Sequence, residues 1–191
     1  MRYRFPLVPL LLAMAATVAP AAAQEVRNPE PVRIPTLFGT LIIGTYFPRE
    51  VVSFSENLPA GSIVISTSQR RLYYVMGNGK ALRYAIAVGK EGYAWAGAST
   101  VSSKREWPDW SPPAEMRKRR PDLPVHMAGG KDNPLGARAL YLGDTLYRIH
   151  GTNEPWYMGS AQSSGCIRMT NDDVIDLYGR TKIGATVIVR R

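Results

Sequence analysis

The chain has 191 residues, of which 45% are hydrophobic and 20% charged, with a formal net charge of +9 and a single cysteine. This length suits one domain with appendages, and the hydrophobic content is sufficient for a packed core. The composition excludes collagen-like and broadly disordered chains, and the single cysteine excludes a disulfide within the chain.

The first 23 residues have the pattern of a secretory signal peptide. Two arginines precede an apolar run over residues 5–18, and three alanines ending at Ala23 fit a small-residue cleavage site. An uncleaved anchor is the alternative, but the run is short for a span of about 20 residues. We therefore predict export, with no stable membrane span after cleavage.

Residues 24–59 follow as a predicted linker or N-terminal extension. Asparagine and several prolines favour an extended tether. Short apolar groups at 41–43 and 51–52 are either strands or segments packed on the following domain. The stretch either spaces the domain from the membrane region or has no specific role.

From residue 61 the pattern predicts short β-strands. Candidate strands cover residues 62–65, 71–76, 82–88, 137–142, 145–149 and 186–189, with a turn over residues 77–79. Short strands at regular spacing favour a sandwich or a barrel-like sheet.

Residues 91–124 differ from the strands on either side. They contain three of the four tryptophans, several prolines and a basic run over residues 117–120. We predict a rigid loop over residues 107–113 and a short helix over residues 114–119, and the insertion as a whole is either a lid or binding loop or a surface excursion. The basic run could meet anionic polymer or be merely solvated. No nucleic acid partner is expected, because an exported chain with no binding motif gives no reason for one.

Two histidines lie downstream of this insertion. His126 could line a cleft beside flexible glycines, but a turn-bound, non-catalytic histidine is favoured. His150 ends a predicted strand, which is a rigid mount for a catalytic base.

The cysteine, Cys166, lies 16 residues after His150 and follows the flexible sequence Ser-Ser-Gly. The small residues allow a tight bend that leaves the sulfur reachable, and Arg168 places a positive charge nearby. A nucleophilic thiolate needs a proton acceptor, so the simplest interpretation is a Cys–His pair. A buried structural cysteine beside a core histidine is the alternative.

A base of this kind must also be held in one tautomer. The carbonyl of Gly151 could hold it, and so could the carboxylates of Glu154 or Asp144. Attack on an amide would create an oxyanion, for which the backbone N–H groups of Gly165 and Cys166 are the natural donors.

A helix is predicted after Arg168. Thr170 or Asn171 can cap it, two aspartates fill its first turn, and Gly179 ends it. Arg168 itself either binds a substrate carboxylate or holds the cysteine loop through local backbone. HExxH, CxxC and GxxxxGK[ST] motifs are absent, so we expect no metal and no cofactor.

His-Gly-Thr at 150–152, Gly159, Ser-Ser-Gly-Cys-Ile-Arg-Met at 163–169 and Asn171 resemble the signature of the L,D-transpeptidase (YkuD-like) catalytic domain. The resemblance extends more weakly from about residue 60 to the C-terminus, and Ser164 stands where many members carry His or Lys. It implies a mainly β, L,D-transpeptidase-like sandwich over residues 60–191, with a short helix after the cysteine and a capping loop insertion.

The resemblance also implies cell-wall remodelling in a bacterial periplasm. Cys166 would attack a peptidoglycan tetrapeptide stem at the amide before the terminal D-Ala, and the thioester would pass to a diaminopimelate amine or to a lysine of an envelope protein. His150 and Gly151 would complete the catalytic set. The residues assigned to substrate binding are Arg168, Ser164, Asn171, His126 and Trp156.

Two other functions remain open at this point. Water could resolve the thioester, which would make the protein an L,D-carboxypeptidase or amidase on the same stem peptides. Alternatively, the chain could be a non-catalytic wall-binding module.

Overall fold

The computed structural model describes residues 32–36, 39–43, 48–89, 95–158, 161–163 and 165–191. The predicted signal peptide, residues 1–23, lies outside the described residues. The strands are β1 (Val32–Thr36), β2 (Gly39–Ile43), β3 (Glu50–Ser53), β4 (Ile63–Ser66), β5 (Arg71–Gly77), β6 (Lys80–Ala85), β7 (Val88–Gly89), β8 (Gly97–Glu106), β9 (Arg138–Leu142), β10 (Arg148–His150), β11 (Ala161–Ser163), β12 (Ile167–Arg168) and β13 (Thr186–Arg190). The helices are α1 (Ala114–Arg119), α2 (Asn171–Arg180) and a 3₁₀ turn at Pro155–Tyr157.

Within these residues, nine strands form one sheet in the order β12-β10-β9-β8-β13-β4-β5-β6-β3. At its centre β13 runs parallel to β4, whereas β4, β5 and β6 pair antiparallel through tight turns. The turn between β5 and β6 contains Asn78 at φ 52°, flanked by glycines that also have positive φ. Asparagine and glycine tolerate this left-handed region best, which explains the sharp reversal.

The core follows from the side-chain alternation of the central strands. Ile63 and Ile65 of β4 and Val187 and Val189 of β13 are all buried. Residues two apart on a strand share a face, so these four side chains pack as one layer. Burial of each such side chain contributes roughly 1.5–3 kcal/mol.

The two ends of the sheet meet beside the cysteine. Ala87 lies just after β6, and its N–H and carbonyl each bond to the backbone of Arg168 in β12, at 2.9 Å in both directions. β7 and β11 pair next to this contact. The sheet is therefore curled rather than open, and the loop around the cysteine lies at the seam where its ends join.

Helix α2 packs on the sheet directly after the seam. Thr170 caps it, with Oγ1 accepting a hydrogen bond from Asp173 N at 3.2 Å. At its other end the ammonium of Lys104 donates to the carbonyls of Tyr178 at 2.6 Å and Thr181 at 2.7 Å. A cation at this end of the helix binds carbonyl groups that lack an intrahelical donor, and its charge interacts favourably with the helix dipole.

Part of the predicted linker contributes to the sheet. β3 pairs with β6 as an edge strand, and Arg49 reaches Asp173 of α2 at 3.2 Å. The Asp173 side chain is fully buried, and burial raises its pKa, although Thr170 and Arg49 oppose that effect. The ion pair connects the start of β3 to the helix that follows the cysteine.

The predicted mainly β class is confirmed, and so is the short helix Ala114–Arg119. The interpretation of residues 91–124 as an insertion between strands was wrong for Gly97–Glu106, which form β8 between β13 and β9. Small and polar residues dominate β8, and most of them are partly or fully exposed, so the strand lacks the apolar alternation that indicates a strand. Residues 91–94 lie outside the described residues.

Candidate active site

His150 ends β10, the strand next to β12. The preceding residue, Ile149, is fully buried in the core, so His150 points to the opposite face of the strand. The imidazole is only 4% exposed, and its Nδ1 lies 2.6 Å from the carbonyl oxygen of Gly151. Because a carbonyl only accepts hydrogen bonds, Nδ1 carries the proton and Nε2 is left with its lone pair.

The surroundings of His150 keep the ring neutral. The pKa of His150 is lowered to about 3, mainly by burial and also by charge repulsion from Arg168 and Arg148, while the Gly151 hydrogen bond opposes the shift. At neutral pH the imidazole is therefore unprotonated and can accept a proton.

Cys166 lies immediately before β12, after a bend at Gly165 with φ +105°. His150 pairs with Arg168 across the parallel strands, so Cys166 lies in the connection that enters β12, two residues before the strand partner of the histidine. The Cys166 side chain is half-buried, and its Sγ lies 3.8 Å from the carbonyl oxygen of Leu146.

Arg168 has two distinct sets of contacts. Its backbone forms the seam with Ala87, which fixes the loop that carries the cysteine. Its guanidinium is 16% exposed and lies 3.6 Å from the carboxylate of Glu154, while its Nε has no hydrogen-bond partner among the described residues. The carboxylate of Glu154 therefore faces Arg168, and Asp144 lies exposed in a turn. Of the three groups considered for orienting His150, the Gly151 carbonyl is the one in contact with it.

The other predicted substrate contacts are dispersed. Asn171 starts α2 and accepts hydrogen bonds from backbone N–H groups. Trp156 is 54% exposed in the 3₁₀ turn. His126 is exposed, with Nδ1 3.3 Å from Ser111 Oγ. Ser164 lies outside the described residues, as does Gly159 of the family signature, and for Asn171, Trp156, His126 and Ser164 the substrate-binding assignment stays a prediction.

Leu146 lies beside the thiol but was not among the site residues predicted from the sequence. Leu146 carries the carbonyl that Cys166 Sγ approaches, and its own side chain is 76% exposed. The next residue, Tyr147, stacks on Trp95 with ring centroids 5.3 Å apart. In the sequence, Leu146 is recognisable only as an apolar residue near the start of the strand that carries His150. Nothing in the spacing of the sequence links Leu146 to Cys166.

No group of three or more potential metal-ligating side chains occurs in the described part of the chain. Among the same residues, no helix has the length and apolarity needed to cross a membrane.

A family model described as the L,D-transpeptidase catalytic domain, YkuD, matches residues 60–189. The chain is 37% identical over 134 residues to an Escherichia coli protein named probable L,D-transpeptidase ErfK/SrfK, covering 65% of this chain and 42% of that protein. It is 36% identical over 148 residues to the E. coli protein named probable L,D-transpeptidase YbiS, covering 73% and 47%. The chain thus spans less than half the length of these curated relatives.

Solved structures agree on the fold. L,D-transpeptidase 3 from Mycobacterium tuberculosis matches with a TM-score of 0.52 at 20% identity, covering 70% of this chain and 62% of that one. A Brucella melitensis protein matches with a TM-score of 0.53 at 46% identity, covering 78% and 96%. Its name is probable carnitine operon oxidoreductase caia, whereas the family model and the curated relatives cited above agree on L,D-transpeptidases.

Proposed function

The chain belongs to the YkuD family of L,D-transpeptidase catalytic domains, and from this we propose that it is a cysteine-dependent acyltransferase acting on peptidoglycan stem peptides. The observation that carries the proposal is the 2.6 Å contact between His150 Nδ1 and the Gly151 carbonyl. This contact leaves Nε2 of His150 unprotonated. His150 ends β10, which pairs with β12, the strand that follows Cys166, and a neutral base is needed beside the thiol.

In the first half-reaction, Cys166 Sγ attacks the carbonyl carbon of the amide between diaminopimelate and the terminal D-Ala, and His150 Nε2 takes the thiol proton. The backbone N–H groups of Gly165 and Cys166 stabilise the resulting oxyanion. Collapse of this intermediate breaks the C–N bond, and His150 returns the proton to the leaving amine of D-Ala. The product is a thioester on Cys166.

In the second half-reaction, an acceptor amine attacks the thioester and loses its proton to His150, restoring the thiol. A diaminopimelate amine would give a cross-link between two stems, and a lysine of an envelope protein would attach that protein to the wall. Water in place of the amine would make the reaction a hydrolysis. No cofactor takes part in these steps.

The neutral state of His150 fixes the form of the first step. A base whose pKa is lowered to about 3 by burial does not remove the thiol proton before substrate arrives. Proton transfer is therefore coupled to attack on the carbonyl, rather than completed beforehand in a thiolate–imidazolium pair.

Arg168 and Trp156 are the substrate contacts we retain as most suitable. Among the described residues the partly buried guanidinium of Arg168 has its one ion pair with Glu154, at 3.6 Å, so we propose that it also attracts a stem carboxylate. The exposed face of Trp156 offers an apolar surface for the peptide.

We further propose that residues 1–23 direct export to the periplasm, that residues 24–59 form an N-terminal extension, and that residues 60–191 form the catalytic domain. The cationic charge of the chain, +9 in total and lower by two after cleavage, suits an anionic wall.

Intact-protein mass spectrometry tests the acyl-enzyme. The purified protein and its Cys166→Ser variant are incubated with a tetrapeptide-stem muropeptide. The wild type should gain the mass of the stem minus D-Ala, and the variant should gain nothing. Adding amine acceptors then separates a transferase from a carboxypeptidase, which would release D-Ala without a cross-linked product. A folded wild type that forms no adduct and no product, yet binds sacculi as well as a Cys166→Ala variant does, would point to a wall-binding module instead.

A further inference from the structure

Asn171, the first residue of α2, reaches back to the segment that follows the histidine. Its side-chain oxygen accepts hydrogen bonds from Ala137 N at 2.9 Å and from Thr152 N at 3.2 Å. Both donors are backbone N–H groups on buried residues, and buried N–H groups of this kind require a partner. Asn171 is thus the acceptor that joins the start of the helix to the end of β10.

The Thr152 N–H belongs to the same peptide group as the Gly151 carbonyl. In a trans peptide the N–H and C=O point in opposite directions, and no cis peptide occurs among the described residues. Asn171 holds the N–H end, and His150 Nδ1 binds the carbonyl end at 2.6 Å. Rotation of this peptide would break both contacts at once, so the orientation of the carbonyl depends on Asn171.

Two glycines leave room for the Asn171 side chain. A Cβ built on Gly151 or on Gly136 would lie 2.3 Å from the Asn171 oxygen, a distance that real atoms do not tolerate. The start of the helix is itself fixed, because Thr170 caps it and Met169 N donates to the His150 carbonyl at 2.8 Å. The oxygen of Asn171 is therefore held in a fitted position rather than directed to solvent.

We propose that Asn171 is a positioning residue that fixes the tautomer of His150 through the Gly151–Thr152 peptide. It acts through backbone, without touching the substrate, in contrast to the substrate-binding role expected from the sequence. The predicted loss of acylation rate rests on the proposed function, whereas the predicted change in the tautomer of His150 does not. Loss of the oxygen acceptor lets the peptide rotate, and the proton then distributes between Nδ1 and Nε2.

Two substitutions separate this role from substrate binding. Asn171→Asp keeps an oxygen at the acceptor position and replaces the amide nitrogen, and an acidic residue is favourable in the first turn of a helix. Asn171→Ala removes the acceptor. We expect Asn171→Asp to acylate within a few-fold of wild type, and Asn171→Ala to acylate about 100-fold more slowly, as a misplaced catalytic group typically does.

The decisive readout is the ¹⁵N chemical shifts of the imidazole at pH 7, recorded in a His126→Gln background so that one ring is observed. Wild type and Asn171→Asp should show the Nδ1–H tautomer, and Asn171→Ala a mixture with Nε2–H. An alanine variant that keeps both the tautomer and the rate would overturn the inference. An aspartate variant with the wild-type tautomer but as slow as alanine would restore the substrate-binding role through the amide nitrogen.

Folding and function are controlled separately. If Asn171→Ala does not fold, the acylation rate of Asn171→Asp is enough to test the inference. A positioning role predicts a rate within a few-fold of wild type, whereas a substrate contact through the amide nitrogen predicts a loss of rate. If the wild type forms no acyl-enzyme with any stem peptide, the proposed function fails, while the tautomer shift still tests the positioning role.

Discussion

Acidification from pH 7 to pH 5 should weaken the fold through His150. The imidazole is buried and neutral in the folded protein, with its pKa lowered to about 3, whereas an unfolded histidine titrates near 6.5. Between these values the unfolded state binds the extra proton, so the free energy of unfolding decreases as the pH falls below about 6.5. Linkage gives a loss of about 2 kcal/mol between pH 7 and pH 5.

Urea denaturation followed by tryptophan fluorescence at pH 5, 6 and 7 measures this loss. His150→Asn is the matched variant, because its amide keeps an N–H near the position of Nδ1 but does not protonate in this range. His126→Gln is the control, since it removes the other histidine, which is exposed. Burial raises the pKa of Asp173, which acts in the opposite direction but is common to all three proteins and cancels in the differences. Parallel losses in the wild type and His150→Asn would refute the buried, neutral imidazole.

Four further outcomes are expected. Lys104→Met should lower the free energy of unfolding by roughly 1.5–3 kcal/mol, because two carbonyls at the C-terminal end of α2 lose a charged donor. Lys131→Met is the control, because the Lys131 side chain is 86% exposed, and it should change the thermal midpoint little. Gly136→Ala should destabilise the fold by more than about 1 kcal/mol, because its φ of +64° and the backbone nitrogen of Thr152, 2.3 Å from the added Cβ, both oppose a side chain. Gly179→Ala, with open space around it in α2, should instead stabilise by about 0.5–1 kcal/mol, and denaturation curves compare the two. The rate of acylation should persist below pH 6, because the base is still unprotonated there, and a rate that falls to zero with a midpoint near 6.5 would contradict this.

Much of the fold could be predicted because its elements have strong local signals. Residues 62–65 and 71–76 are short segments rich in apolar residues, which is typical of strands. They are observed as β4 and β5, with bounds that differ from the predicted ones by no more than one residue. The helix after the cysteine has a threonine cap and an acidic first turn, and it was predicted within one residue of its observed end at Arg180. Its true cap is Thr170, one of the two residues considered.

The elements that escaped prediction depend on partners distant in sequence. β8 is held by β13 and β9 on either side, so its own polar sequence gives no strand pattern. At residues 51–52 a strand was one of two alternatives, and β3 forms there because β6 offers it a partner. Arg49, just before it, pairs with a buried carboxylate 124 residues away. The hydrogen bonds of the Asn171 side chain likewise join residues 34 and 19 positions apart, which residue type alone does not reveal.

The position of the site in the sheet explains why distant residues matter to it. Cys166 lies in a short connection whose backbone is fixed by β10 on one side and by Ala87 on the other. Ala87 follows β6, whereas β10 lies near the other edge of the sheet, so the cysteine loop takes its position only when these two parts of the sheet come together. The peptide whose carbonyl binds His150 Nδ1 is in turn held by the first residue of α2. Closure of the sheet and docking of α2 therefore both determine the backbone around Cys166 and His150.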